Sequence, residues 1–164
     1  MKKKIKSLLL IFLTAALLLS FVGCSLLGPK DKAFSKEGMT ITLTDAFTEQ
    51  EIITQTAYYV SNEAIVTALK EDGTSLGNRT VADYAKLVCT VNKLTSSEVV
   101  AKDGYAEFTY EKDVSGKSYY YYARCFKNGT DFWLIQFACE TKNQSRYTPI
   151  FDKWASSVTF SSQG

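Results

Sequence analysis

The stretch Tyr119-Tyr-Tyr-Tyr-Ala-Arg-Cys-Phe-Lys-Asn-Gly-Thr-Asp-Phe-Trp-Leu-Ile-Gln-Phe-Ala-Cys139 decides the architecture. Asn128-Gly129 between two apolar runs predicts a two-residue type I′ turn, whose two central positions both need φ > 0. That turn pairs Lys127 with Thr130, Cys125 with Phe132, Ala123 with Leu134 and Tyr121 with Gln136. Strand side chains alternate, so register assigns faces. One face takes Tyr119, Tyr121, Ala123 and Cys125 with Phe132, Leu134, Gln136 and Ala138; the other takes Tyr120, Tyr122, Arg124 and Phe126 with Trp133, Ile135, Phe137 and Cys139. Both faces are apolar at their centres. An antiparallel ribbon with no wet side needs a covering layer on each side.

The covers are found by working outward. Residues 104–112 read as a strand that turns near 113–116 and pairs with 117–124, leaving Glu107 diagonal to Arg124 as a structural ion pair. Thr80-Val-Ala-Asp83 resembles a capping box and opens a helix over 80–91, with Val81, Tyr84, Ala85 and Val88 on one face. Thr148-Pro149 is a good start for a second helix, on which Ile150, Trp154 and Val158 recur at i, i+4 and i+8. Met39, Ile41 and Leu43 alternate with threonines as a half-buried strand. Two more strands are expected at 54–60 and 64–71, the second ended by Asp72-Gly73. The expected fold class is α+β: a central antiparallel β-sheet covered by helices on both faces.

The amino terminus supplies an address. Lys2, Lys3, Lys4 and Lys6 precede an apolar run, then Gly23 and Cys24, the order of a bacterial lipoprotein signal peptide. Phe21-Val22-Gly23-Cys24 resembles a lipobox, although phenylalanine stands where leucine is preferred. The 16 uncharged residues of 7–22 fall short of the roughly 20 that a spanning helix needs. The expected organisation is a signal peptide over 1–23, a tether over 24–34 containing Gly28-Pro29, and one globular domain over 35–164. Cys24 is then the lipidation site and the membrane the first partner, with the domain on the extracytoplasmic side. An ordinary secretory signal, with Cys24 incidental, is the alternative. The whole chain carries 19 basic and 17 acidic residues, and four of the basic ones lie in the leader, so the mature part is slightly acidic. Nothing in that balance points to nucleic acid.

An opening strand at Met39-Thr-Ile-Thr-Leu-Thr-Asp-Ala-Phe47, a middle helix containing Tyr84, a long hairpin and a closing Tyr147…Phe151…Trp154-Ala-Ser-Ser-Val-Thr-Phe160 segment together resemble the PsbP/Mog1-like superfamily. Thr44-Asp45 stands where that family often has proline, and Thr159-Phe160 replaces its final Ser-Phe. The resemblance spans about residues 34–161 and implies an α/β/α sandwich and a non-enzymatic binding or assembly protein. Members differ in partner, so no partner carries over.

Chemistry-bearing motifs are few. The chain has no histidine, which removes Ser-His-Asp and Cys-His triads and the commonest zinc ligand. Ser115-Gly116-Lys117-Ser118 resembles the end of a P-loop, but Glu111 occupies the place of its first glycine and the context is a hairpin. Scattered acids lack calcium-loop spacing, and no cofactor or metal is expected. Export favours a disulfide. Cys125 and Cys139 lie on opposite faces about seven pairs apart, so any bridge uses Cys89, with Cys139 the weighed partner against three buried thiols. Tyr119 and Tyr121 read either as a partner-binding surface or as ordinary core strand residues. Two functions stay open: a lipid-anchored binding or assembly module with an unknown protein partner, or a lipid-anchored enzyme or solute-binding protein using a carboxylate- and tyrosine-lined cleft.

Overall fold

A computed structural model describes residues 28–95 and 98–161. Residues 1–23, expected as a signal peptide, and Cys24 lie outside the described residues. Among the described residues ten strands and two α-helices follow one another: β1 (Asp31–Lys36), β2 (Met39–Thr44), β3 (Thr48–Gln50), β4 (Ala57–Val60), β5 (Ala64–Glu71), α1 (Val81–Val91), β6 (Val100–Lys102), β7 (Tyr105–Val114), β8 (Lys117–Asn128), β9 (Asp131–Glu140), α2 (Gln144–Ser156) and β10 (Thr159–Phe160). Seven of the strands make an antiparallel sheet in the order β3-β4-β5-β9-β8-β7-β6, and β1, β2 and β10 make a second small sheet.

The β8–β9 hairpin is the centre of the large sheet, and its two faces divide as its alternation requires. Tyr120, Tyr122, Trp133, Ile135, Phe137 and Cys139 pack under α2 and the small sheet. Tyr119, Tyr121, Ala123, Cys125, Phe132, Leu134 and Ala138 lie with Tyr84, Ala85 and Val88 of α1. The sandwich expected from the sequence is thus the one observed. Strand β2 buries Met39, Ile41 and Leu43 and leaves its threonines half-buried.

Register differs from expectation by one pair at the hairpin tip. Asn128 pairs with Asp131, Cys125 with Leu134 and Tyr121 with Ala138. Gly129 and Thr130 form the loop; Gly129 has φ 60° and Thr130 is not left-handed, the φ signs of a type II′ turn. The type I′ pattern falls instead at Ser115-Gly116, with φ 51° and 80° between paired Val114 and Lys117. The change moves partners by two residues, so parity and both faces survive it. Phe126 comes opposite Trp133, Tyr122 opposite Phe137, and Asp131 comes within 3.2 Å of Lys70. A Cβ on Gly73 would lie 1.7 Å from the Thr130 carbonyl oxygen, so the 73–75 turn packs directly on the tip only because it lacks one.

Helix α1 begins as its capping box specifies: the Thr80 hydroxyl accepts from the Asp83 backbone N–H, and the Asp83 carboxylate accepts from Thr80. Helix α2 starts one turn before the expected Thr148, which places Pro149 inside it. Proline removes one early backbone bond, and the extra turn buries Tyr147 against Phe151 and Trp154, at ring distances of 5.2 and 6.3 Å. Part of the stretch expected as a tether is instead strand. Asp31 to Phe34 belong to β1, and the Lys30 N–H donates to Asp45 Oδ1 at 3.0 Å while Asp45 N–H donates back to Lys30 O at 2.8 Å.

Arg124 is 1 % exposed beneath the end of α2. It pairs directly with Glu107 across the strands, not diagonally. Its guanidinium donates to Glu107 Oε2 at 3.0 Å, Asp152 Oδ1 at 2.7 Å, Ser156 Oγ at 3.1 Å and the Tyr122 hydroxyl, and lies 4.1 Å from the Tyr105 ring centroid. On the other face, the Tyr84 hydroxyl donates to the Glu71 carboxylate. Burial holds that carboxyl above the ordinary glutamate range, and the tyrosine's hydrogen bond only partly offsets it.

Two predictions follow from these buried groups. Arg124→Met leaves Glu107 without its cation and costs about 3 kcal/mol in denaturant unfolding; Asp152→Asn, at an exposed carboxylate, costs under about 1 kcal/mol. Glu71 favours its protonated form in the folded state, so its contribution is fullest below the unfolded pKa and is lost as pH rises through the folded one. Glu71→Gln therefore raises Tm by a few degrees at pH 8 and leaves it unchanged near pH 4, as scanning calorimetry at both values would show.

Candidate functional site

A groove of about 430 Å³ opens beside α2, between the start of β1 and the turn joining β4 to β5. Its floor is apolar: Phe47, Ile150 and Trp154, with Pro29 and Ala46 at one side. Phe47 meets Trp154 edge-on at 5.2 Å, which fixes the floor. Tyr147, Ile150 and Trp154 recur along α2 at i, i+3 and i+7, so one helical stripe builds the long wall.

Charged pairs stand at the groove's ends. At the amino-terminal end of α2, Glu63 accepts from Arg146 at 2.6 Å and from the Tyr147 hydroxyl at 3.2 Å. Arg146, then Tyr147, hold the Glu63 carboxyl below its ordinary range, and burial beside Glu63 pushes the Tyr147 hydroxyl up to about 12. At the carboxy-terminal end, Lys153 reaches Asp31 only at 3.4 and 3.5 Å. Ser61 and Asn62 complete the rim. Asp31 and Glu63 each pair with a base, Lys153 and Arg146 respectively.

The residues singled out from the sequence lie elsewhere. Tyr119 and Tyr121 are 7 % and 3 % exposed, and Tyr121 stacks on Tyr110 at 4.5 Å; they are core residues and not a partner-binding surface. Cys89 and Cys139 lie on opposite sides of the sheet, so the weighed bridge is not formed. Cys125 and Cys139 are buried thiols, the latter pushed up by burial to about 11. Lipidation at Cys24 falls outside the described residues. Among the described residues no cluster of His, Cys, Asp or Glu is arranged to hold a metal ion. The sequence does not show the groove, because 29–31 fall in the expected tether, 61–63 lie unassigned between two expected strands, and Arg146 and Tyr147 precede the expected start of the helix. The available signal was Tyr147, Ile150 and Trp154 at helical spacing.

No known family profile matches the chain, and no curated protein is similar to it in sequence. Solved structures are similar in fold. Cyanobacterial PsbP (CyanoP) from Synechocystis sp. PCC 6803 superposes with a TM-score of 0.56 at 15% identity, over 88% of this chain and 99% of that one. The Saccharomyces cerevisiae Ran-binding protein Mog1p gives 0.58 at 7% identity, over 82% and 97%. LpqN of Mycobacterium tuberculosis, described as involved in cell envelope biogenesis, gives 0.50 at 10% identity, over 82% and 92%. The layered sheet, the two covering helices and these superpositions together establish that this chain has the PsbP/Mog1-like fold.

Proposed function

We propose that the chain is a lipid-anchored, extracytoplasmic binding module, non-enzymatic, that captures its ligand in the groove beside α2. The observation that carries this reading is the groove's composition: an apolar floor with a few polar groups at its ends is the make-up of a ligand site. Its acids are neutralised by Arg146 and Lys153, and the chain offers no histidine for acid–base work. The leader ending in Gly23-Cys24 supports the anchor and the extracytoplasmic location. Pro29 lines the groove, so the site lies at the end of the domain that the anchored segment enters. LpqN offers a parallel in a protein of the same fold linked to the cell envelope.

Two measurements test the reading. Intact mass of protein from the native host shows a chain starting at Cys24 and carrying acyl groups; a chain retaining Met1, or one without acyl groups, sinks the anchor. A photocrosslinking residue placed at Asn62 in intact cells gives discrete adducts that Ile150→Arg abolishes, whereas the same residue at Lys86 on α1 gives none. Identical adduct patterns from the two positions would remove the groove from the function.

A further inference from the structure

One apolar pair in the sequence is accounted for by neither the leader nor the sheet. Leu26-Leu27 follow Cys24, outside the apolar run of the leader, and stand beside Ser25 and Gly28-Pro29, residues that suit a solvated linker. Pro29 lines the groove together with Phe47, Ile150 and Trp154. Its place is fixed by the next residue: the Lys30 N–H donates to Asp45 Oδ1 at 3.0 Å, and the Asp45 N–H donates to Lys30 O at 2.8 Å. At about 3.3–3.6 Å per residue, Leu27 and Leu26 lie no further than roughly 7 and 11 Å from Pro29. The groove's long wall, from Tyr147 to Trp154 on α2, runs about 10 Å at a rise of roughly 1.5 Å per residue. The pair is thus tethered within reach of the whole floor. Nor does the rim ask for charge. Arg146 matches Glu63 at 2.6 Å and Lys153 matches Asp31 at 3.4 Å, with Ile150 half-buried between the two pairs. A neutral hydrocarbon occupant leaves both pairs intact and strands no polar group of its own.

We propose that, in the ligand-free protein, Leu26 and Leu27 seat their side chains on the groove floor beside Ile150 and Trp154. Reach selects this occupant. A segment joined to the groove through Gly28 and Pro29 has an effective concentration of about millimolar or above, so burial of leucine side chains suffices where a free apolar molecule of that size would stay in solution. The acyl groups of Cys24 start two residues further out and are held by the bilayer. On the binding-module reading, on which this step rests, a ligand of the groove then competes with the chain's own leucines. Seating also sets a distance. Cys24 stands two residues, about 7 Å, from Leu26, which holds the groove close to the membrane, and displacement frees residues 24–28 to extend about 17 Å.

The test uses the acylated protein in membranes of its native host, with the diazirine analogue of leucine at position 27. Illumination links position 27 to the tryptic segment 147–153 of the same chain, and Ile150→Asn abolishes the link. In nanodiscs, Leu26→Ser combined with Leu27→Ser lowers Tm by about 2–4 °C in calorimetry, and lowers it no further once Ile150→Asn is present. Position 27 linked only to lipid or to other surfaces, or not linked at all, overturns the seating, and so does an undiminished Tm. The same pair of serine substitutions raises the yield of adducts from position 62, and equal yields from the two chains overturn the competition. Absence of adducts from both chains fails the binding-module reading instead, and the link from position 27 still decides the seating.

Discussion

A hairpin that is apolar on both sides cannot stand half in water, and every other layer of this molecule answers that constraint. Strands β8 and β9 bury aromatic and aliphatic side chains up and down alike. Covering only one side would leave Tyr121, Cys125, Phe132 and Leu134, or else Tyr122, Trp133, Ile135 and Phe137, facing solvent. At roughly 25 cal/mol per Å² of apolar surface, either omission forfeits several kcal/mol, comparable to the whole stability of a domain. The two covers are built differently. Helix α1 covers its face alone, with Tyr84 stacked on Phe132 at 4.7 Å and Ala85 and Val88 beside it over a layer that includes Phe108, Tyr110 and Tyr121. Helix α2 shares its side with the small sheet.

Polar groups inside the sandwich act as registration marks. Arg124 could not be buried without Glu107, since an unpaired guanidinium in a dry layer is far costlier than an unmade hydrogen bond. Glu107 comes from β7, Tyr122 from Arg124's own strand β8, and Asp152 and Ser156 from α2, so one guanidinium ties three elements at a single relative position. A slip of β7 against β8, or of α2 along its axis, would break several charged bonds together. Apolar packing alone tolerates such slips much better.

The large-scale layout was legible in the sequence because it follows from alternation. Face assignment in the hairpin survived a wrong register, since the real one differs by two residues and parity is all that faces depend on. The register was not legible because Asn128-Gly129 is a local signal, whereas the choice among even shifts was made by distant contacts: Gly73 beneath Thr130, Lys70 beside Asp131, and the Asn128 side chain reaching Ser161 O. The capping box of α1 was readable from four residues, all its partners being local. The start of α2 was not, because proline's preference for a first turn was overridden by the burial of Tyr147, a tertiary effect. The tyrosine run shows the same limit, since composition alone does not separate a binding surface from a core.

The groove was the least legible feature, and its physical origin explains why. It is the seam where three pieces meet: the residues around the start of β1, the tight β4–β5 turn and the solvent-side shoulder of α2. Each piece has its own local reason to exist, and none needs the cavity in order to fold. Helix α2 turns Phe151 and Ala155 fully inward, while Tyr147, Ile150 and Trp154 stand one step around the helix and serve both the core and the groove wall. The small sheet sets the groove's width, because pinning Lys30 to Asp45 carries Pro29 and Asp31 up to the helix and no further. Sites made at such seams are free to vary in side chains without disturbing the sheet beneath. One sandwich can therefore present different recognition chemistry in proteins that share almost no sequence.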